Sequence, residues 1–293
     1  MEKIVVTSSQ RYTDIDGLAC ALAYREIESN VRVVLPGPLN QSVTPTIKSW
    51  PLNFMTELIP GEYQFIVMDI SDPEWMANFA KEGKIIKIYD HRFGFEGYWK
   101  DRLGENAKIE PVGACATLIW EEFKKKAKVP GKTSANLLYT AIISNTLNFK
   151  SSVTTTRDIK AIKELKPFTS LPSDWTKKYY QEVEAGIYQD PIGSVLGDSK
   201  GDGRYLIGQI ELWDSRNFIN KHLKEIETAM ESYGRQDWFF TSPSISEGKN
   251  YLLCKNEAIK DKLKGIIDAQ FEGNLGTTKK LWLRKEILKL LNK

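Results

Sequence analysis

Runs rich in β-branched and aromatic residues alternate with longer amphipathic stretches through the first half of the chain. Residues 3–7 (KIVVT), 31–35 (VRVVL), 63–69 (YQFIVMD) and 84–90 (KIIKIYD) are predicted strands. Helices are predicted over 18–28, 73–82, 118–126 and 134–143, with Asp72-Pro73 as the start of the second. This alternation argues for a mostly parallel sheet with helices on both faces. The segment 166–174 (KPFTSLPSD) holds two prolines and reads as a connector, followed by a helix over 175–185. A second unit then shows strands at 205–212, 237–241 and 251–254, helices at 218–232 and 257–269, and a basic end. The expected fold class is α/β, with domains at 1–187 and 188–293.

Parallel sheets gather their ligands at the carboxyl ends of their strands. Asp69 and Asp90 each end a predicted strand, and Asp14 and Asp16 lie shortly after the first one. Each alone also fits a turn former or a helix cap. Together they place four acidic residues on one sheet edge, where they repel one another unless cations or shared protons intervene. With the imidazole of His91 they form a hard-oxygen set that suits Mn²⁺ or Mg²⁺. The Asp14-Ile15-Asp16 spacing lets two carboxylates of one loop serve adjacent metals, as in two-metal sites with ions about 3.5–4 Å apart.

Composition narrows the partners. A net charge of +3, from 41 basic and 38 acidic residues, is too balanced for general nucleic-acid or membrane-surface binding. Cys20, Cys115 and Cys254 are far apart and outside any CxxC spacing, which reads as reduced thiols in a cytoplasmic protein. A strand begins almost at once, without a leader pattern, and no apolar run approaches the roughly 18 residues of a membrane helix.

The order of these motifs resembles the DHH superfamily, in particular the branch of family II inorganic pyrophosphatases and exopolyphosphatase/Prune proteins. Thr13-Asp14-Ile15-Asp16-Gly17 matches the first motif, Asp69 in VMDISD the second, and Asp90-His91-Arg92 the third. Pro111-Val112-Gly113-Ala114-Cys115-Ala116-Thr117 resembles the PVGCTAT segment of the pyrophosphatases, and residues 140–158 resemble their fourth motif. Leu283-Arg284-Lys285-Glu286 resembles the segment that ends a DHHA2 domain.

The resemblance implies a DHH domain and a smaller DHHA2-like domain, with the active site in the cleft between them. It implies metal-dependent hydrolysis of pyrophosphate or short-chain polyphosphate by metal-activated water attack, with Mn²⁺ (or Mg²⁺ or Co²⁺) as cofactor. Asp14, Asp16, Asp69 and His91 would be metal ligands, and Asp90 would orient His91. Arg92, Arg284 and Lys285 would hold phosphates, with Lys200 or Arg204 as a further cation. Family II pyrophosphatases are often dimers through an edge strand, so the resemblance allows a homodimer, although no residue here requires one.

Three positions depart from the family pattern. Gln10 and Asn145 stand where the pyrophosphatases carry a His and an Asp ligand, so any ligation from these two comes from neutral amides. The third motif reads DHR, as in the exopolyphosphatase/Prune branch. The alternative to a hydrolase is therefore a weakened or inactive phosphate- or nucleotide-binding protein on the same scaffold. A DHH nuclease is disfavoured, because Gly201-Asp202-Gly203 lacks the His of a GGGH segment.

Overall fold

A computed structural model describes residues 3–201 and 204–292, so Asp202 and Gly203 of the glycine-containing stretch lie outside it. The first elements in chain order are β1 (Lys3–Thr7), α1 (Ile15–Ile27), β2 (Val31–Val33), α2 (Pro45–Lys48), β3 (Tyr63–Met68), α3 (Asn78–Lys81), β4 (Lys84–Asp90), α4 (Glu96–Leu103), β5 (Ala107–Ile109), α5 (Cys115–Lys125), α6 (Lys132–Asn145) and α7 (Thr156–Leu165). There follow α8 (Trp175–Gln189), α9 (Pro191–Gly197), β6 (Ser199–Gly201), β7 (Leu206–Gln209), α10 (Ser215–Glu231), β8 (Trp238–Ser244), β9 (Lys249–Leu253), α11 (Glu257–Ile267), β10 (Gln270–Glu272), β11 (Leu275–Thr277) and α12 (Arg284–Leu291). By contact the chain forms two units. One holds the residues up to Phe149 with Val153–Thr176, and the other holds Lys150–Ser152 with the residues from Lys177 onward. The division falls inside α8, whereas the sequence reading placed it at 187/188.

The first unit is an α/β layer structure around a five-stranded sheet in the order β2-β1-β3-β4-β5, every pair of which is parallel. Successive residues of a strand point to opposite faces, yet Phe65, Ile66, Val67 and Met68 of β3 are all buried, so both faces are covered. Phe65 packs with Val5, Ala77 and Ala80 on one face. The chain leaves β1 towards β2 and later returns to β1's other side as β3. This makes a topological switch point between β1 and β3, where α/β sheets hold ligands.

The expected helix over 73–82 is corrected. A single 3-10 turn spans Pro73–Trp75, capped by Asp72, and α3 adds one α turn. Met76 between them is extended (ψ 153°) and pairs as an antiparallel bridge with Ser9, while Gln10 N donates to Trp75 O at 3.1 Å. Pairing with the loop after β1 outcompetes the local helical pattern there.

The second unit is built on a six-stranded mixed sheet in the order β10-β11-β9-β8-β7-β6. Leu206, Trp238, Phe240 and Leu253 pack on Phe218, Ile219 and Ile226 of α10. Ile207, Phe239 and Leu252 face the other way, onto Ile259 and Leu263 of α11 and Ile287 and Leu291 of α12. The expected strand over 205–212 shortens to β7, although Ile210 and Leu212 still donate to Thr241 O and Pro243 O. His222 sits half-buried at a kink of α10, with its ring 5.2 Å from those of Tyr188 and Phe218.

Candidate metal centre

Parallel pairing of β1, β3 and β4 brings their carboxyl ends together, and each delivers one motif. Asp14 is the N-cap of α1, with Oδ1 accepting from the amides of Asp16 (3.1 Å) and Gly17 (2.9 Å). Asp16 in the next turn is fully buried. Its carboxylate accepts the amides of Cys115 and Ala116, both at 2.8 Å, at the start of α5. Amides at a helix N-terminus suit an anion. They come from the PVGACAT segment, whose role is thus to hold Asp16. Asn145, at the end of α6, donates Nδ2 to Asp16 Oδ2, and Cys20 Sγ lies 3.5 Å from Oδ1.

Asp69 follows β3 in the left-handed region (φ 55°), a conformation uncommon outside glycine that gathers at functional sites. Its Oδ1 is buried and has no hydrogen-bond partner, and Asp90 Oδ2 is in the same state. A buried unpaired carboxylate oxygen is costly, so each such atom asks for a cation or a donor. Burial is the first cause that raises the Asp69 carboxyl well above the usual carboxylate range, and Asp14, Asp16 and Asp90 add to it against the pull of Arg92. Asp16 is raised chiefly by its burial as well.

His91 completes the set. Its Nδ1 faces Val112 O at 3.1 Å, and a carbonyl can only accept, so the ring proton belongs on Nδ1. Nε2 then points at Asp69 Oδ1 (3.5 Å) and Asp16 Oδ2 (3.9 Å). In a neutral ring this puts a lone pair against two carboxylate oxygens, which is repulsive until a proton or a metal ion lies between them. Ligand atoms of Asp16, Asp69 and His91 lie within 4.8 Å of one another, a set that fits a hard divalent ion.

The other expected residues sit as follows. Asp90 makes no hydrogen bond to the His91 ring: its Oδ1 accepts the backbone amides of His91 (2.8 Å) and Arg92 (3.3 Å), and the hydrogen bond of the imidazole goes to the Val112 carbonyl. Arg92 donates Nη1 to Asp69 O and Nη2 to Asp69 Oδ2 (3.1 Å). Gln10 Oε1 accepts from Asn78 N at 3.2 Å, and Asn145 presents its donor nitrogen to Asp16. Arg284, Lys285, Lys200 and Arg204 belong to the second unit. There Arg284 binds Asp198 through Nη1 to the carbonyl and Nη2 to Oδ1 (2.9 Å). Lys200 lies on β6 opposite Ile207, the Arg204 guanidinium sits over the Tyr205 ring, and Lys285 is exposed at the start of α12.

Residue-type reasoning passed over Asp158. This fully buried carboxylate accepts from Gly113 N (2.9 Å), Thr117 Oγ1 (2.6 Å), and both N and Oγ1 of Thr155 (2.7 Å). It ties the capping box of α7 to the segment that carries Val112 O and the Asp16-binding amides. A Cβ on Gly113 would stand 2.6 Å from Thr146 Cγ2, which explains a glycine there. The signal was present as TTTRD, a threonine three residues before an aspartate.

Comparison with known proteins agrees with the motif reading. Proteins named probable manganese-dependent inorganic pyrophosphatase align with the chain. The one from Exiguobacterium sp. is 26% identical over 238 residues, 77% of this chain and 76% of its own. The one from Bacillus mycoides is 23% identical over 302 aligned positions, covering 98% and 96%. The chain resembles the family II inorganic pyrophosphatases of the DHH superfamily. Among solved structures, a Methanococcus jannaschii protein described as a candidate family II pyrophosphatase matches over both whole chains, with a TM-score of 0.69 and 22% identity. An exopolyphosphatase-related protein from Bacteroides fragilis matches over 99% of this chain and 91% of its own, with a TM-score of 0.50 and 13% identity. These likenesses give the chain the two-domain α/β fold of family II pyrophosphatases. No protein-family model matches it. Among the described residues, no helix is long and apolar enough to cross a membrane.

Proposed function

We propose that the chain is a metal-dependent phosphoanhydride hydrolase acting on inorganic pyrophosphate or short-chain polyphosphate. The observation that carries this is Asp69 Oδ1, buried and unpartnered, facing His91 Nε2 beside Asp16. Asp16, Asp69 and His91 would hold a divalent ion, with Mn²⁺ favoured by the names of the aligned relatives and Mg²⁺ or Co²⁺ as alternatives. A divalent ion held there supplies charge neutralisation of phosphate oxygens and a lowered pKa for water. Val112 keeps the Nε2 lone pair of His91 directed at the ion's place, and the α5 amides fix the Asp16 carboxyl and oppose the rise in its pKa that burial causes. Phosphate contacts are assigned to Arg284 and Lys285, with Lys200 or Arg204 as a further cation, and to the exposed side of Arg92. Three free, buried cysteines accord with a cytoplasmic setting.

The test is phosphate release from pyrophosphate, tripolyphosphate and long polyphosphate, each with Mn²⁺, Mg²⁺ and Co²⁺. Release is expected on the short substrates with at least one ion. No release on any substrate with any ion would contradict the proposal. The commitment of Gln10 to Asn78 and of the Asn145 amide to Asp16 favours a second reading, a non-catalytic phosphate- or nucleotide-binding protein. Its mark would be thermal stabilisation by pyrophosphate or nucleotide without turnover.

A further inference from the structure

The two oxygens of Asp69 are in different states. Oδ1 is the unpartnered atom beside His91 Nε2, whereas Oδ2 accepts from Arg92 Nη2 at 3.1 Å. The same guanidinium gathers the neighbouring carboxylates. Asp14, whose Oδ1 is used by the amides of α1, turns Oδ2 towards Arg92 Nη2 at 3.8 Å. Asp90 Oδ1 lies 3.5 Å from Nη1, which also donates to the Asp69 carbonyl. Three carboxylates and one carbonyl therefore converge on one cation. That exceeds an ordinary surface ion pair, although the Arg92 side chain is 44% exposed.

A carboxylate that bridges two metal ions gives one oxygen to each. Here Asp69 has that disposition, with an open oxygen towards Asp16 and His91 and a second oxygen already matched to a guanidinium. Asp14 falls on the guanidinium's side and not in the Asp16–Asp69–His91 set. An ion able to reach both Asp14 Oδ2 and Asp69 Oδ2 would have to displace Arg92, which carries a charge of the same sign. Gln10 does not compensate, because its side-chain oxygen is taken by Asn78 N.

We propose that Arg92 is a fixed internal cation in the place of a second metal ion, so that the centre holds one divalent ion per chain. This rests on the metal-dependent reading above. Guanidinium geometry suits the role, with several donors in a plane meeting carboxylates on more than one side.

The test counts ions. Chelator-stripped protein is dialysed against Mn²⁺, bound manganese per chain is measured by atomic emission, and ion proximity is read by electron paramagnetic resonance. The wild type is expected to bind one ion with the spectrum of isolated Mn²⁺. Arg92→Ala, which frees Asp14 Oδ2 and Asp69 Oδ2, is expected to bind two with a spin-coupled spectrum. Arg92→Lys, which keeps the charge, is expected to stay at one. Two ions in the wild type would overturn the proposal, as would a single ion in Arg92→Ala. No ion in the wild type would instead sink the metal-dependent reading itself. The wild-type count and Arg92→Lys decide the matter if Arg92→Ala does not fold.

Discussion

Asp158 offers the sharpest test of how the centre is held, because it touches no proposed ligand yet supports two of them. Replacing it by alanine leaves four donors unmatched: Gly113 N, Thr117 Oγ1, and Thr155 N and Oγ1, all bound now at 2.6–2.9 Å. Hydrogen bonds to a charged group are each worth about 1.5–3 kcal/mol, but four converging on one carboxylate do not add, so we take about 4 kcal/mol. For a unit of this size that corresponds to a fall in Tm of about 8–16 °C by calorimetry. Asp158→Asn should cost less. Its amide oxygen can take the place of Oδ2, and the Thr117 hydroxyl can accept from the amide nitrogen. Both changes loosen the segment that carries Val112 O and the Asp16-binding amides, so Mn²⁺ affinity should drop by about 10–100-fold in Asp158→Ala. A fall in Tm below about 3 °C in the alanine variant, or unchanged Mn²⁺ affinity, would refute this role.

Further outcomes follow from single contacts. Gly113→Ala pushes a Cβ to 2.6 Å from Thr146 Cγ2, and a urea titration should show a loss of about 1–3 kcal/mol; an unshifted midpoint would count against it. The carboxyl of Glu164 is held below the usual glutamate range by hydrogen bonds from Lys124 (2.7 Å) and the Trp120 indole (2.8 Å). Stabilisation of this sign exists above the unfolded-state pKa and is lost as pH falls through the folded one. The gap in Tm between wild type and Glu164→Gln should therefore be present at pH 7 and close in acid below about pH 4; a gap that widens in acid would be contrary. Lys285→Ala, at an exposed position on α12, should raise KM for pyrophosphate by roughly tenfold with little change in stability, and an unaltered KM would remove Lys285 from the phosphate contacts.

The parallel sheet and the convergence of Asp16, Asp69 and His91 were legible because their signals are local. Each follows an apolar strand, and parallel pairing alone brings strand ends to one edge. What holds them was not legible in the same way. Asp16 is gripped by backbone amides a hundred positions away, and the His91 ring by the Val112 carbonyl; backbone groups carry no residue-type signal. The helix expected over 73–82 failed for a similar reason, since a bridge between Ser9 and Met76 is a tertiary contact. The short strands β5, β6, β10 and β11 went unread because three residues show no period and none of them lies in an apolar run like the VRVVL that holds β2. Arg92 was expected among the phosphate ligands from its motif alone, and only the geometry of Asp14, Asp69 and Asp90 around it gives it a second task.

In the proposed function, Asp69, with Asp16 and His91, binds the divalent ion on which hydrolysis depends. The most direct measurement is phosphate release from pyrophosphate by chelator-stripped protein as Mn²⁺ is titrated back, for the wild type and for Asp69→Asn. Release is expected to rise in step with bound Mn²⁺ in the wild type and to be absent in Asp69→Asn at every concentration. Release that survives the chelator, or that persists in Asp69→Asn, would contradict this role of Asp69.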